Sequence, residues 1–356
     1  MRALDPHAPR RILLRAVNWV GDAVMSLPAL EALGAACPQA EITVLARPWV
    51  APLYESHPAV GEVVRYDRDR HRGLAGRRRL AGELKRRGFD WAVLFQNAFD
   101  AAFLAWLARV PVRLGYACDA RRLLLSHPVT RRPEVFAGHE SSYYLHLLHG
   151  AGLAPAPPPE GVAPRLFLDP ADRDWAGRWI EQQGLAGRRL LGLAPGAAFG
   201  PAKCWPAEHF ASAARELLAG EVEAVLLLGS AGEAPACGTV AGLLKCAPVF
   251  DLAGRTSLGR ALALLERLAL FICNDSGLMH AAAALGVPTL AVFGSTNPVA
   301  TAPLGRWVRV IYHELDCAPC KKPRCPLGTL ECLRSVTPEE VVEAAQGLLS
   351  SAEERS

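Results

Sequence analysis

Three stretches of this sequence place reactive side chains where an apolar run hands over to a helical pattern. The first is Asn18-Trp19-Val20-Gly21-Asp22. Gly21 lets the backbone turn and come close to a ligand. Asp22 suits general-base work, and it suits equally well the capping of the helix that follows. No G-x-G-x-x-G is present, which weakens a dinucleotide reading. The second stretch is Leu193-Ala194-Pro195-Gly196-Ala197-Ala198-Phe199-Gly200-Pro201-Ala202-Lys203-Cys204-Trp205-Pro206. Its glycines free backbone N–H groups to cradle a phosphate, and Lys203 adds a point charge. A Walker loop is excluded by the missing G-K-[ST]. The third is Cys273-Asn274-Asp275-Ser276-Gly277-Leu278-Met279-His280. Ser276 and Gly277 offer N–H groups to an anion at a helix start, and Asp275 suits a sugar hydroxyl. Capping by Asp275 and Ser276, with Met279 in the core and His280 satisfied locally, would use the same residues. The second and third stretches together point to a ligand bearing a diphosphate. Glu233 and the Leu252–Thr256 turn, also in the second half, suit a ribose and a purine, or open surface.

A fourth group is made of thiols. Cys317, Cys320, Cys325 and Cys332 fall within sixteen positions, among Pro319, Pro323 and Pro326. That density fits a small metal knuckle, holding structural zinc or an iron–sulfur cluster. Free thiols fit as well, as would two disulfides in an exported chain. The other six cysteines are dispersed, as small core residues are in a reducing cytosol.

Strands and helices must alternate to hold these loops. Apolar runs at Arg11–Ala16, Glu41–Ala46, Val60–Tyr66 and Trp91–Phe95 read as strands. Helical patterns over Ala23–Ala36 and Leu74–Arg87 separate them, which makes βαβ units and a parallel sheet. Residues 151–164 (AGLAPAPPPEGVAP) are rich in Pro and Ala and read as a linker. The alternation then resumes, with strands at Leu190–Leu193, Ala224–Leu228, Leu270–Cys273 and Thr289–Phe293. Helices follow at Ser257–Leu268, Gly277–Leu285 and Pro338–Leu349. The expected architecture is two α/β domains, over 1–155 and 156–337, with a terminal helix in 338–356 that can return to the first. Open sheets of this kind bind ligands at their carboxyl edges, so chemistry is expected in a cleft shared by the two.

The 356 residues suit two domains. Hydrophobic residues make up 51% and charged residues 21%, which excludes disorder. No apolar run approaches the ~18 residues of a membrane span. The polar, Arg-containing start leads to an apolar run too short for a signal peptide. A soluble cytoplasmic protein is expected. Residues 1–165 hold 22 Lys/Arg against 15 Asp/Glu, and residues 166–356 hold 17 against 20. A basic first half suggests an anionic partner there, or an Arg-rich solvated surface.

The stretches 18–28 (NWVGDAVMSLP), 195–206 (PGAAFGPAKCWP) and 274–298 (NDSGLMHAAAALGVPTLAVFGSTNP), in this order, resemble the ADP-heptose:lipopolysaccharide heptosyltransferases. The resemblance spans essentially the whole chain. It implies a GT-B fold, in which two Rossmann-like domains face a central cleft. It implies inverting transfer of heptose from ADP-heptose to the lipopolysaccharide inner core, as a second heptose on heptosyl-Kdo2-lipid A. Asp22 then matches the family's general base, and Lys203 its contact to donor phosphate or sugar. Gly196, Asp275, Ser276 and Gly277 fall on the donor side with Met279 and His280, and Glu233 and Thr256 near ribose and adenine. Gly21, Asn97, Arg113, Tyr116 and His139, with Tyr143, resemble acceptor-side positions. Arg65, Arg70, Arg77, Arg78, Arg79, Arg86, Arg87, Arg121 and Arg122 are candidates for the acceptor's phosphates and carboxylates. No cofactor is required for catalysis. The partners expected are the donor, the lipid A-linked acceptor and, transiently, the inner membrane surface, with no nucleic acid. Two positions depart from the family pattern, Ala198 where a polar residue is common and Cys204 where Arg is frequent. A member adding the first or a later heptose, a GT-B-fold nucleotide-sugar epimerase and a non-catalytic nucleotide-binding module stay open as alternatives.

Overall fold

The computed structural model describes residues 4–67, 69–131, 133, 138–154, 161–245 and 247–353. The chain divides into two compact units, Met1–Phe167 and Leu168–Ser356. Residues 155–160 of the linker expected over 151–164, and with them the boundary expected at 155, lie outside the described residues.

The first unit holds one parallel sheet of six strands. They are β1 (Arg11–Arg15), β2 (Glu41–Ala46), β3 (Glu62–Arg65), β4 (Trp91–Leu94), β5 (Val112–Tyr116) and β6 (His127–Val129), in the order β3-β2-β1-β4-β5-β6. β1 runs beside both β2 and β4, with Leu14 opposite Val44 on one side and Val93 on the other. All four residues of β4 are buried, as parallel strands covered on both faces must be. The helix expected over 23–36 is two helices, Val20–Met25 and Leu27–Ala36. Pro28 has no N–H to continue the hydrogen-bond ladder and sits in the first turn of the second helix.

The second unit repeats this plan without repeating the sequence. Its strands are β7 (Leu190–Ala194), β8 (Ala224–Leu227), β9 (Val249–Asp251), β10 (Leu270–Asn274), β11 (Thr289–Val292) and β12 (Val308–Ile311). Their order, β12-β11-β10-β7-β8-β9, is the first unit's winding again. Leu191 and Leu193 of β7 face a core built with Phe210, Leu217 and Val240 from two helices. Gly192 faces the opposite way, where any larger side chain would strike Leu268 and Phe271. The last helix, Pro338–Glu353, packs on β10, β11, β12 and the helix Ala207–Leu218. Val341, Val342, Ala345 and Leu349 bury its apolar face in the second unit's own core.

In both sheets the winding reverses beside the first strand of the unit, between β1 and β4 and between β7 and β10. Loops leaving the carboxyl ends of those strands diverge there and open a crevice, where open α/β sheets take their ligands.

Candidate functional site

In the second unit the loops at this crevice are those after β7 and β10. Asn274, fully buried at the end of β10, fixes the glycine-rich loop at both ends. Its Nδ2 donates to the Pro195 carbonyl at 2.8 Å, and its Oδ1 accepts from the Trp205 N–H at 2.9 Å. Trp205 is buried and donates its indole N–H to the Val336 carbonyl at 2.9 Å. Between these anchors Lys203 donates to Asp275 Oδ2 at 2.6 Å, and Thr296 Oγ1 donates to the same oxygen at 2.6 Å. The ammonium also lies 5.0 Å from the ring centre of Phe199, which is half exposed. Lys203 and Asp275 are 14% and 6% exposed at their side chains, so the pair is weakly screened. Ser276 is the N-cap residue of the helix Gly277–Ala284, but its side chain makes no capping bond and its buried hydroxyl has no partner. The crevice therefore offers one cation, one carboxylate, a spare hydroxyl and a helix start.

Gly196 has a structural reason to be glycine. A Cβ there would stand 2.6 Å from Cβ and Cγ of Glu233. Glu233 is thereby brought against the glycine-rich loop, where its Oε2 accepts from the Ser230 N–H at 2.8 Å. Gly254, at φ +71°, approaches Ala231 just as closely, which sets the turn carrying Thr256 beside that of Glu233. Met279 and His280 lie on the following helix and are buried, Met279 completely. Burial places Met279 among core side chains, as the packing alternative had it. The Cys204 thiol points back toward the Gly200 carbonyl, and burial pushes its pKa up.

In the first unit Asp22 lies after β1, in the first turn of the helix Val20–Met25. It is not that helix's cap, which is Trp19. The carboxylate is half-buried, and its charge helps raise the pKa of Tyr144, behind the larger effect of that ring's burial. Gly21 precedes it in the same turn, also half-buried. Asn97, beyond β4, donates to the Tyr143 hydroxyl at 2.6 Å and accepts from Arg121 Nη2 at 2.9 Å. Tyr116, at the end of β5, donates its hydroxyl to the Tyr143 carbonyl at 2.7 Å and packs against that ring at 4.6 Å. Asn97, Tyr116 and Tyr143 are thus one cluster.

Arg121, Arg113 and His139 behave differently from the expectation. Arg121 is fully buried and donates to the carbonyls of Tyr116 and Gln96, so it fixes backbone inside the unit. Arg113 sits toward the start of β5, away from the carboxyl edge. Its guanidinium donates to the carbonyls of Leu124, Val110 and Pro111. Those bonds make Arg113 a brace for the loops around it. His139 caps the helix Glu140–Gly150, its Nδ1 accepting from the Ser141 N–H at 3.1 Å.

A second charged cluster lies near the carboxyl ends of β1, β2 and β3, and of its members sequence reasoning had named only Arg77. Arg15 is 3% exposed and Arg47 is 8% exposed. Arg15 donates to the Leu45 carbonyl at 3.1 Å and to Asn18 Oδ1 at 3.0 Å. Burial first, and then the Arg47 charge, lower its pKa to about 10. Arg47 lies over the Tyr66 ring at 4.0 Å, and the Tyr66 hydroxyl donates to Asp100 Oδ2 at 2.9 Å. Arg77 completes the group through its own bond to Asp100. Arginine inside or just beyond an apolar strand was the available signal, because a charge there needs built partners. The four cysteines of the 317–332 loop are free thiols. Among the described residues, no three His, Cys, Asp or Glu side chains stand grouped as a metal ion's ligands. No helix among them is long and apolar enough to cross a membrane.

Comparison with known proteins adds to this geometry. The profile of glycosyltransferase family 9 (heptosyltransferase) matches residues 77–331. Lipopolysaccharide heptosyltransferase 2 of Escherichia coli (strain K12) is 32% identical over 353 residues, covering 95% of this chain and 98% of that protein. The solved structure of E. coli ADP-heptose lipopolysaccharide heptosyltransferase II superposes with a TM-score of 0.81 at 30% identity, covering 96% of this chain and 99% of that one. A family 9 glycosyltransferase from Veillonella parvula gives 0.86 at 25% identity over 99% of both chains.

Proposed function

This chain belongs to glycosyltransferase family 9, the heptosyltransferases, and from that premise we propose that it moves a heptose from ADP-heptose to the lipopolysaccharide inner core with inversion. The acceptor in this reading is heptosyl-Kdo2-lipid A, which receives its second heptose. The observation that carries it is the Lys203–Asp275–Thr296 group at the point where the second sheet's winding reverses. A parallel sheet binds a nucleotide there, and the group supplies charge for a diphosphate and acceptors for sugar hydroxyls.

The displacement needs a base on the acceptor hydroxyl and charge stabilisation on the departing ADP. Asp22 takes the hydroxyl proton as the oxygen attacks the anomeric carbon, a contribution of about 10²–10⁴-fold. The bond from that carbon to the diphosphate breaks as the new one forms. Lys203 turns from Asp275 to the diphosphate, and loop N–H groups share the charge that develops. Asp275, still held by Thr296, accepts from the donor's hydroxyls. No step calls on a cofactor.

Peripheral contact with an anionic membrane belongs to the same reading, since the acceptor is a lipid. The helix Gly73–Arg87 buries Leu80, Ala81 and Leu84 and exposes Arg78, Arg79, Lys85 and Arg86. Such a cationic face suits a phospholipid surface.

The test is ADP release from ADP-heptose, with and without heptosyl-Kdo2-lipid A. Acceptor-dependent release is expected. Donor conversion without acceptor would instead indicate an epimerase, and ADP binding without turnover on any core acceptor would indicate a binding module.

A further inference from the structure

The helix Phe99–Leu107, which follows β4 in the first unit, turns aromatic rings toward water. Its sequence FDAAFLAWL places Phe99, Phe103 and Trp106 at spacings of four and three, on one face. Phe99 and Phe103 stack with ring centres 6.0 Å apart and planes 16° from parallel. Phe103 and Trp106 repeat this at 6.0 Å and 23°, so the three rings form a continuous row. Phe99 is 47% exposed and Trp106 48%. Ala102, Leu104 and Ala105, on the other side of the helix, already fill the first unit's core, which leaves the row without a packing role there. A water-facing helix side is ordinarily polar. Here the helix's one charged residue, Asp100, is taken by Arg77 and Tyr66.

Two neighbours extend this face. The turn Arg122–Leu124 packs against the helix, with Leu123 93% exposed and Arg122 exposed beside it. The helix Gly73–Arg87 packs against it too. Its contact runs through Arg77, and exposed Leu74 and Arg78 lie within one turn of that residue. Arg109, just past the aromatic helix, is also exposed. Single apolar side chains on a surface need no explanation, but a contiguous row flanked by arginines marks an interaction site.

We propose that Phe99, Phe103, Trp106 and Leu123 insert into the interface of an anionic phospholipid bilayer, with Arg78, Arg109 and Arg122 on its headgroups. Aromatic rings favour the depth where acyl chains meet headgroups, and arginines beside them complement anionic lipid. A second copy of this chain fits the face poorly, because self-pairing would set these arginines against their own copies. The row begins two residues past Asn97 and extends about 10 Å along the helix. An acceptor with its sugars at the carboxyl edge of the sheet then keeps its acyl chains in the bilayer. That last step rests on the acceptor reading above, whereas the docking surface stands on its own observations. Apolar insertion also differs from the charge attraction already assigned to the basic helix, because it survives salt that screens charge.

The test is co-sedimentation of the full chain with vesicles of phosphatidylglycerol and phosphatidylethanolamine, at low salt and at about 1 M salt. Binding is expected at both, weaker at high salt, and weaker again on phosphatidylcholine alone. Trp106→Gln with Leu123→Gln is expected to lower the partition coefficient about thirtyfold and to abolish the salt-resistant part. An unchanged urea midpoint checks that the variant folds. Should it not fold, Leu123→Gln alone is expected to lower the coefficient about fivefold. Unchanged partition in the variant overturns the surface, as does binding that vanishes at high salt. A dimer that the same variant abolishes, without vesicle binding, gives the face to a second copy and overturns it too. ADP release separates this surface from the transfer reading. The double variant is expected to raise KM about tenfold for heptosyl-Kdo2-lipid A in vesicles and to leave the rate on the deacylated acceptor unchanged. An unchanged KM in vesicles overturns the link to the acceptor. Vesicle binding with no release from either acceptor overturns the transfer reading and leaves the surface.

Discussion

Asp22 and Lys203 carry opposite halves of the proposed chemistry, and their surroundings set different outcomes for replacing them. Asp22 is half-buried in the first unit, whereas the Lys203–Asp275–Thr296 group belongs to the second. Asp22→Asn is expected to slow turnover by about 10²–10⁴-fold. ADP affinity by calorimetry should not move, and turnover that survived would place the base elsewhere. Lys203 holds a carboxylate that is almost out of water. Lys203→Met is expected to lose ADP binding and about 3 kcal/mol of stability, because it strands Asp275. Adding Asp275→Asn should restore the denaturation midpoint without restoring ADP binding. His57 gives a pH dependence. Burial lowers its pKa below 6.5, Glu31 at 3.7 Å opposes the shift, and Arg165 adds to it. The unfolded chain thus takes up the proton first as pH falls. The stability tied to neutral His57 is complete above pH 6.5 and is lost as pH drops from there through the folded pKa. His57→Gln should flatten that slope in urea titrations at stepped pH, and an unchanged slope would assign it to another group.

Among the elements, the strands beside each winding reversal and the edge strand β3 were legible, whereas the edges β6, β9 and β12 were not. β1, β2, β4, β7, β10 and β11 are apolar runs in the sequence because both their faces are covered. β6 contains Pro128, and β12 alternates with Arg309 exposed. Half-covered edges need no apolar run, so nothing in the sequence separated them from loops. β5 was obscured by Arg113 and Gly115, each explained only by neighbours in space. A Cβ on Gly115 would meet Arg121 Nη2 at 3.2 Å. The loops have their own expectation. Asn274→Ala removes the side chain holding both ends of the glycine-rich loop and should cost about 2 kcal/mol. Thermal denaturation measures it, and a loss well under 1 kcal/mol would mean that the loop has other anchors. For the basic helix, Arg78→Glu with Arg79→Glu should weaken co-sedimentation with anionic vesicles, at about 1 kcal/mol per arginine removed. Unchanged sedimentation would leave that face to solvent.

The whole molecule is two units of the same winding built from unrelated residues. In the proposed reading they divide the work, with the base on the first and the donor group on the second. ADP at about 100 times its Kd should stabilise the state that binds it by about 2.7 kcal/mol. Hydrogen exchange should slow in residues 194–205 and 274–298, while β1 to β4 keep their rates. Protection centred on residues 11–97 would reverse the assignment. The sequence by itself determined the alternation of strands and helices and the three loops that carry chemistry, because apolar runs and glycine or acidic punctuation are local signals. It also placed the four cysteines in one stretch. Only the tertiary structure decided which residues share a crevice. It joined Lys203 to Asp275 across seventy-two positions, made Asn274 the anchor of a loop seventy-eight residues earlier, and withdrew Arg113 into a brace. Each of those outcomes turns on which strand lies beside which, and pairing between distant strands leaves no trace in local residue order.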